Sequence, residues 1–256
     1  VLAPPGTAER RFVLAHLVRA IEPGGRLTAL APKAKGGSRL AADLEAFGCA
    51  AASDSRRHHR IVETRRPESP VGLEEAIAAG SPALDEATGL WTQAGVFSAD
   101  RIDPGSRLLL EHLPALKGRG ADLGCGLGVL GQGILRNPDV ASLVCLDIDR
   151  RAVEAARRNL PDPRAEFRWT DLREAPANLA DLDFVVSNPP FHDAGSEDRS
   201  LGQVFIRRAA AMLRRGGSAF FVANRHLPYE RVLGEVFARV QPIGEDAGFK
   251  LFEARK

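Results

Sequence analysis

Cysteine is scarce in this chain: three residues of 256, Cys49, Cys125 and Cys145. None stands at the close spacing of a zinc knuckle or redox pair, and so few thiols cannot staple a chain this long. Free, buried thiols and a reducing cytosolic location are therefore expected. An excess of one charge is also missing, since 35 Lys and Arg face 33 Asp and Glu for a net of +2. That balance allows a nucleic-acid partner without arguing for one. No apolar run reaches membrane-spanning length and no signal-peptide pattern opens the chain, so no membrane association is expected. The first residue is Val1 rather than Met, which leaves room for sequence upstream. What remains, 44% hydrophobic and 27% charged residues, suits one large α/β domain with a smaller companion.

Two stretches repeat one another. Residues 12–30 and 204–222 both read as helix, glycine pair, strand, with Gly24-Gly25 answering Gly216-Gly217 at a shift of 192 positions. Each is followed by an amphipathic helix ending in an aromatic, at 40–47 and 229–237, and by a closing strand. The closing strands, 60–65 and 250–255, match at a shift of 190. So little slippage over the whole unit points to a duplicated half-domain. The first copy lacks a glycine-rich loop before it and so reads as a remnant unable to hold a nucleotide cofactor. The expected organisation is a truncated degenerate copy over 1–66, a linker with a short helix over 67–82, and a catalytic domain over 83–256.

That domain alternates strand and helix, the pattern of a parallel sheet with helices on both faces. Strands are expected at 121–123, 142–146, 165–169 and 184–187, with helices at 127–135 and 150–159. Asp149 is a good N-cap for the second helix. Asp122-Leu-Gly124-Cys-Gly126-Leu-Gly128 forms the first strand-to-helix turn, where glycines allow a sharp bend and close ligand approach. Asp147 ends the next strand, positioned to accept two ribose hydroxyls, and Asp171 ends the third, suited to an adenine amino hydrogen. Ile148 and Leu172, which follow these acids, are placed beside the cofactor too. Gly126-Leu-Gly-Val-Leu-Gly131 with Asp147 also fits a dinucleotide fingerprint, so the glycines do not separate a nicotinamide cofactor from S-adenosylmethionine. Asp122 favours the second, because a carboxylate at that turn repels a pyrophosphate and suits a cationic amine.

Asn188-Pro189-Pro190-Phe191 follows the fourth strand directly. Two prolines stiffen the corner and remove two backbone donors. The Asn188 amide and a proline carbonyl are able to accept both hydrogens of one planar amino group, and Phe191 offers a face for stacking. Methyl transfer to such a nitrogen is governed by alignment, so no strong general base is needed. His192 beside it is a candidate substrate contact or a plain loop residue. Trp169 is read as core or adenine-pocket wall. The adjacent His58-His59 pair, taken as strand neighbours facing opposite ways, has no further ligand set, and no metal is expected. The basic run from Arg56 to Arg66 fits RNA phosphates or a solvated edge strand.

Together these features resemble the class I S-adenosylmethionine-dependent methyltransferases that modify exocyclic amines or glutamine amides. Gly95-Val-Phe-Ser98, residues 103–110 (Asp-Pro-Gly-Ser-Arg-Leu-Leu-Leu), residues 188–193 (Asn-Pro-Pro-Phe-His-Asp), residues 223–229 and Phe249-Lys250 narrow the likeness. They resemble the bacterial ribosomal RNA guanine-N2 methyltransferases, both the C-type that modifies small-subunit RNA and the G-type that modifies large-subunit RNA. The resemblance implies a Rossmann-like sheet flanked by helices and preceded by a degenerate copy of the same fold. It implies that the first domain helps the second fold and grip RNA, and that Phe97, Asp103 and Ser106 lie over the cofactor. The implied partner is ribosomal RNA or a ribosomal subunit, and a cytoplasmic monomer is expected. In that family the first domain is full length, whereas only its last portion is represented here. Two other functions share the motifs: methylation of a protein glutamine, and RNA binding or assembly with a vestigial cofactor site. The Phe191-His192 continuation, where glutamine enzymes typically have Tyr, favours guanine.

Overall fold

The computed structural model describes residues 1–174, 179–190, 192–193, 196–197 and 199–256, with the backbone alone at 192, 193, 196, 197 and 199. The chain divides into two compact units, Val1–Ala83 with Gln93–Gly95, and Leu84–Thr92 with Val96–Lys256.

The first unit runs α1 (Thr7–Ala20), β1 (Arg26–Pro32), α2 (Leu40–Glu45), β2 (Ala52–Arg56), β3 (His59–Arg65) and α3 (Leu73–Gly80). Its three strands form an antiparallel sheet in the order β1-β3-β2. Leu14, Leu40, Leu44, Phe47 and Val62 are wholly buried between sheet and helices. Residues 67–82, expected as a linker with a short helix, carry α3, which packs within this unit. Leu73 and Ala76 join the core, and Gly80 lies so close to Phe12 on α1 that a Cβ there would overlap the ring. The basic run is also differently placed. β3 is the central strand rather than an edge, and several of its cations are used internally. Arg65 Nη1 donates to the Gly24 carbonyl at 2.7 Å and Arg66 Nη1 to the Ile21 carbonyl at 2.7 Å. His58 is not a strand residue: it and Arg57 make the β2–β3 turn with φ of 65° and 45°.

In the second unit a short hairpin strand, β5 (Trp91–Thr92), is paired with β4 (Ala83–Leu84). The order then runs α4 (Pro104–His112), β6 (Gly118–Leu123), α5 (Val129–Ile134), β7 (Val140–Asp147), α6 (Arg150–Asn159), β8 (Ala165–Trp169) and β9 (Leu182–Ser187). A two-stranded ribbon, β10 (His192–Asp193) and β11 (Ser196–Glu197), leads to α7 (Arg199–Met212), β12 (Leu213–Asn224), α8 (Glu230–Val236), β13 (Arg239–Asp246) and β14 (Phe249–Arg255). Seven strands make one mixed sheet in the order β13-β14-β12-β9-β6-β7-β8. It is parallel from β12 to β8 and antiparallel where β14 joins β12 and β13. Burial on both faces follows the two-residue period of a strand. Val144, Leu146, Val185 and Phe221 pack on one side. Leu143, Cys145, Val186 and Phe220 pack on the other. The Asp149 side chain caps α6, accepting the Arg151 amide at 2.9 Å.

The sequence repeat reappears as a repeat of hydrogen bonds. Arg26 pairs with Arg65 in the first sheet and Ser218 with Arg255 in the second, which are the same positions after shifts of 192 and 190. Ser55 with Arg60 likewise becomes Glu245 with Lys250. The Gly24 amide donates to the Arg66 carbonyl at 2.9 Å, as Gly216 does to Lys256 at 2.8 Å. Even the left-handed turn recurs, Arg57-His58 in one copy and Ala247-Gly248 in the other.

Gly120 on the central strand β6 sits under the ring of Phe184, its register partner on β9, and an added Cβ would fall inside that ring. Gly120→Ala is therefore expected to cost about 2 kcal/mol and lower the thermal midpoint by roughly 4–8 °C, measured by calorimetry.

Candidate functional site

The carboxyl ends of β6, β7, β8 and β9 lie along one edge of the sheet, the edge where open α/β folds bind ligands. β6 runs into the glycine turn. Gly124, Gly126 and Gly128 all take positive φ, at 76°, 52° and 83°. Gly128 is the N-cap of α5, and a Cβ on it would press against Ala156 at 3.2 Å. A Cβ on Gly126 would meet nothing within 4 Å, so the turn opens into space there.

Asp122 is the most unusual group. It is wholly buried, and neither carboxyl oxygen has a hydrogen-bond partner among the described residues. Its register partner is Cys145, which belongs to an apolar layer of the core. Burial, with Asp147 nearby, raises its pKa from 3.8 to about 8. Asp147 is also raised by burial, but its carboxylate is engaged: Oδ2 accepts the Gly126 amide at 2.9 Å and Oδ1 the Asp149 amide at 2.8 Å. It braces the turn as well as facing the ligand edge.

At the end of β8, Trp169 is 64% exposed and Ile148 is 55% exposed. The indole Nε1 donates to the Ile148 carbonyl at 2.8 Å, and the Arg150 guanidinium lies over the ring. Trp169 is thus not core. Asp171, two residues past β8, is held by Arg173 through a 2.7 Å ion pair and a 2.9 Å bond from its amide, which lowers its pKa. The Leu172 side chain is 4% exposed in the core, and its carbonyl accepts from Arg208 Nε at 2.9 Å. Only its backbone remains to serve a ligand.

β9 delivers the Asn188 corner. Ser187 Oγ donates to the Leu123 carbonyl at 2.7 Å, tying this corner to the last residue before the glycine turn. Pro189 is buried and Pro190 half-buried. Asn188 Nδ2 donates to Asp103 Oδ2 at 2.7 Å and to Ser106 Oγ at 2.9 Å, and Oδ1 accepts nothing among the described residues. Asp103 is the N-cap of α4, its Oδ2 also accepting the Ser106 amide at 2.8 Å. Phe97, 60% exposed, lines the same cavity as Asp103, Ser106, Gly124, Gly126 and Asn188. Phe191 lies outside the described residues. His192 is placed by its backbone, paired with Glu197, and its side chain lies outside them as well.

Leu127, Leu130 and Arg101 line the cavity without having been singled out by sequence. Ser187 was equally silent, since a serine ending a strand carries no motif. Among the described residues no three His, Cys, Asp or Glu side chains are grouped to hold a metal. No described helix is long and apolar enough to cross a membrane.

The residues suit S-adenosylmethionine. An unpartnered buried carboxyl is an open requirement that a cationic amine satisfies, whereas a pyrophosphate would aggravate it.

Comparison with known proteins agrees. The Methyltransferase small domain family matches residues 87–253. A Ribosomal RNA small subunit methyltransferase C from Stutzerimonas stutzeri is 34% identical over 99% of this chain and 78% of its own. The protein of that name from Shewanella loihica is 37% identical over 63% of this chain, a stretch equal to 47% of the relative. A solved structure of the T. thermophilus 16S rRNA N2 methyltransferase, in complex with AdoMet and guanosine, superposes with a TM-score of 0.83. Its identity is 30%, over 100% of this chain and 71% of that one. With likeness running through both units in sequence and backbone, the chain belongs to the ribosomal RNA small subunit methyltransferase C family.

Proposed function

We propose that this protein transfers a methyl group from S-adenosylmethionine to the exocyclic N2 amine of a guanine in ribosomal RNA. The observation that carries the proposal is the Asn188 carboxamide beside the glycine turn, its nitrogen engaged by Asp103 and Ser106 and its oxygen without a partner among the described residues. When bound, the cofactor supplies a methyl group on a positively charged sulfur, reactive toward a nitrogen lone pair. Asp122 would hold its cationic amino end, Asp147 its ribose, and Ile148 and Trp169 the flank of its adenine. Asn188 Oδ1 accepts one hydrogen of the guanine amine, and a carbonyl of the proline corner is suited to the other. Holding both hydrogens draws the lone pair out of conjugation, and the proton displaced after transfer leaves to water. Phe191 and His192 supply contacts to the base.

Guanine in ribosomal RNA is supported by the names of the similar proteins, which act on ribosomal RNA, and by guanosine in the T. thermophilus complex. In this scheme residues 83–256 do the chemistry as a monomer in the cytoplasm, and the copy over 1–66 does none. A base within an RNA helix has to be flipped out or caught before the ribosome is assembled. Labelled methyl donor offered with ribosomal RNA lacking the modification is expected to label guanine N2. Label in a release-factor glutamine and none in RNA would replace this function with the protein one.

A further inference from the structure

From the bonds around Asn188 we infer that Asp103, with Ser106, is the positioning residue that sets which end of the Asn188 carboxamide faces the substrate amine. The inference rests on amine methylation at Asn188 but concerns a different residue, and the two fail separately.

A carboxamide has two ends of similar shape and opposite hydrogen-bonding sense. Methylation of an amine needs the carbonyl end inward, because the substrate nitrogen brings hydrogens to be accepted. At Asn188 that choice is made by its surroundings. The nitrogen has two hydrogens, and both are taken, one by Asp103 Oδ2 at 2.7 Å and one by Ser106 Oγ at 2.9 Å. A carboxylate only accepts. Rotating the amide by half a turn would set Oδ1 against Asp103 Oδ2 at that distance, two acceptors in contact with no proton between them. Asp103 is itself fixed, since the same oxygen accepts the Ser106 amide in the first turn of α4, behind Pro104. Ser106 is 8% exposed, so water does not compete freely for its side of the contact. The result is a carboxamide locked in plane and in sense before substrate arrives.

This separates Asp103 from a second possible duty, attraction of the cofactor's cationic end, because the two duties respond differently to one substitution. In Asp103→Asn the amide oxygen takes over the position of Oδ2 and still accepts both bonds, while the negative charge is lost. In Asp103→Ala both are lost.

The test is steady-state methyl transfer with separate kcat and KM, together with calorimetric binding of S-adenosylhomocysteine, on Asp103→Asn, Asp103→Ala, Ser106→Ala and Asn188→Ala. Asp103→Ala is expected to lower kcat about 100-fold, as misplacement of an aligning group does, with cofactor-product affinity changed by less than about threefold. Asp103→Asn is expected to recover most of that kcat. The Asn188 side-chain amide protons, identified by their loss in Asn188→Ala, should be protected from solvent exchange in the wild type and in Asp103→Asn, and exchange freely in Asp103→Ala. Equal loss of kcat in Asp103→Asn and Asp103→Ala, or an unchanged kcat in Asp103→Ala, overturns the inference. If Asp103→Ala loses α4 and does not fold, Ser106→Ala decides, since it keeps the cap: a kcat reduced about tenfold supports the inference and an unchanged one defeats it. Full activity in Asn188→Ala would instead show that other groups hold the amine, and would remove the role of Asn188 on which the inference rests.

Discussion

Asn188→Ala is expected to lower methyl transfer by about 10²–10³-fold while binding of S-adenosylhomocysteine changes less than about tenfold. That magnitude is typical when one preorganised hydrogen-bonding group facing the reacting centre is deleted. Asn188→Asp should fare no better. Its new carboxylate would stand against the Asp103 carboxylate, which now receives an Asn188 hydrogen at 2.7 Å, and the two would repel or share a proton. Initial rates with labelled donor check both variants, and calorimetry with the product nucleoside separates chemistry from binding. Transfer at the wild-type rate in Asn188→Ala would show that the amine is held by other groups.

Asp122→Asn should make the protein more stable at alkaline pH and poorer at holding its cofactor. The folded-state pKa of Asp122 is about 8 against an ordinary 3.8, so the folded protein binds the proton more tightly than the unfolded chain does. Between about pH 4 and pH 8 stability therefore falls as pH rises, because ionisation in the buried site is resisted. Asparagine cannot ionise and is free of this loss. The stability difference between variant and wild type should widen in favour of the variant from pH 4 to pH 9, by up to about 5 kcal/mol if the whole shift is expressed. Urea unfolding at the two pH values measures it, and a difference that does not change with pH would show that the carboxyl is solvated or paired. Cofactor affinity should move the other way, by about 100-fold, since a buried charge pair loses one partner. At neutral pH, binding to the wild type should release a proton that binding to Asp122→Asn does not. Calorimetry in buffers of different ionisation heat detects it.

Much of the second unit could be read from residues alone, because its signals are local. The helix at 150–159 is announced by the Asp149 cap and by apolar residues at helical spacing, and it spans Arg150–Asn159 in the fold. The strand at 165–169 is equally plain. The glycine turn is legible because left-handed backbone at three alternate residues demands glycine. What was not legible depends on contacts far along the chain. β2 and β13 carry mostly polar residues and exist because β3 and β14 offer them a register. Their turns gave no warning in the first copy, where Arg57 and His58 occupy positions that usually call for glycine or asparagine. At the site, the motif singles out Asn188 and the family resemblance implies Asp103, but 85 residues separate them and only the fold joins them. The side chain of Leu172 was not legible for a related reason. Adjacency to Asp171 suggested a ligand contact, but its side chain is committed to the core.

The bond from Ser187 to the Leu123 carbonyl has a consequence for how alignment arises. Leu123 and Ser187 are register partners on adjacent parallel strands, so the glycine turn and the Asn188 corner depart from one rung of one ladder. Their mutual distance is a property of the hydrogen-bonded sheet and does not wait for a loop to close. The loss of orientational freedom that in-line transfer requires is thus incurred when the chain folds, long before RNA arrives. Heating or denaturant that loosens the β6–β9 pairing should erode the chemical step in proportion to the ladder itself.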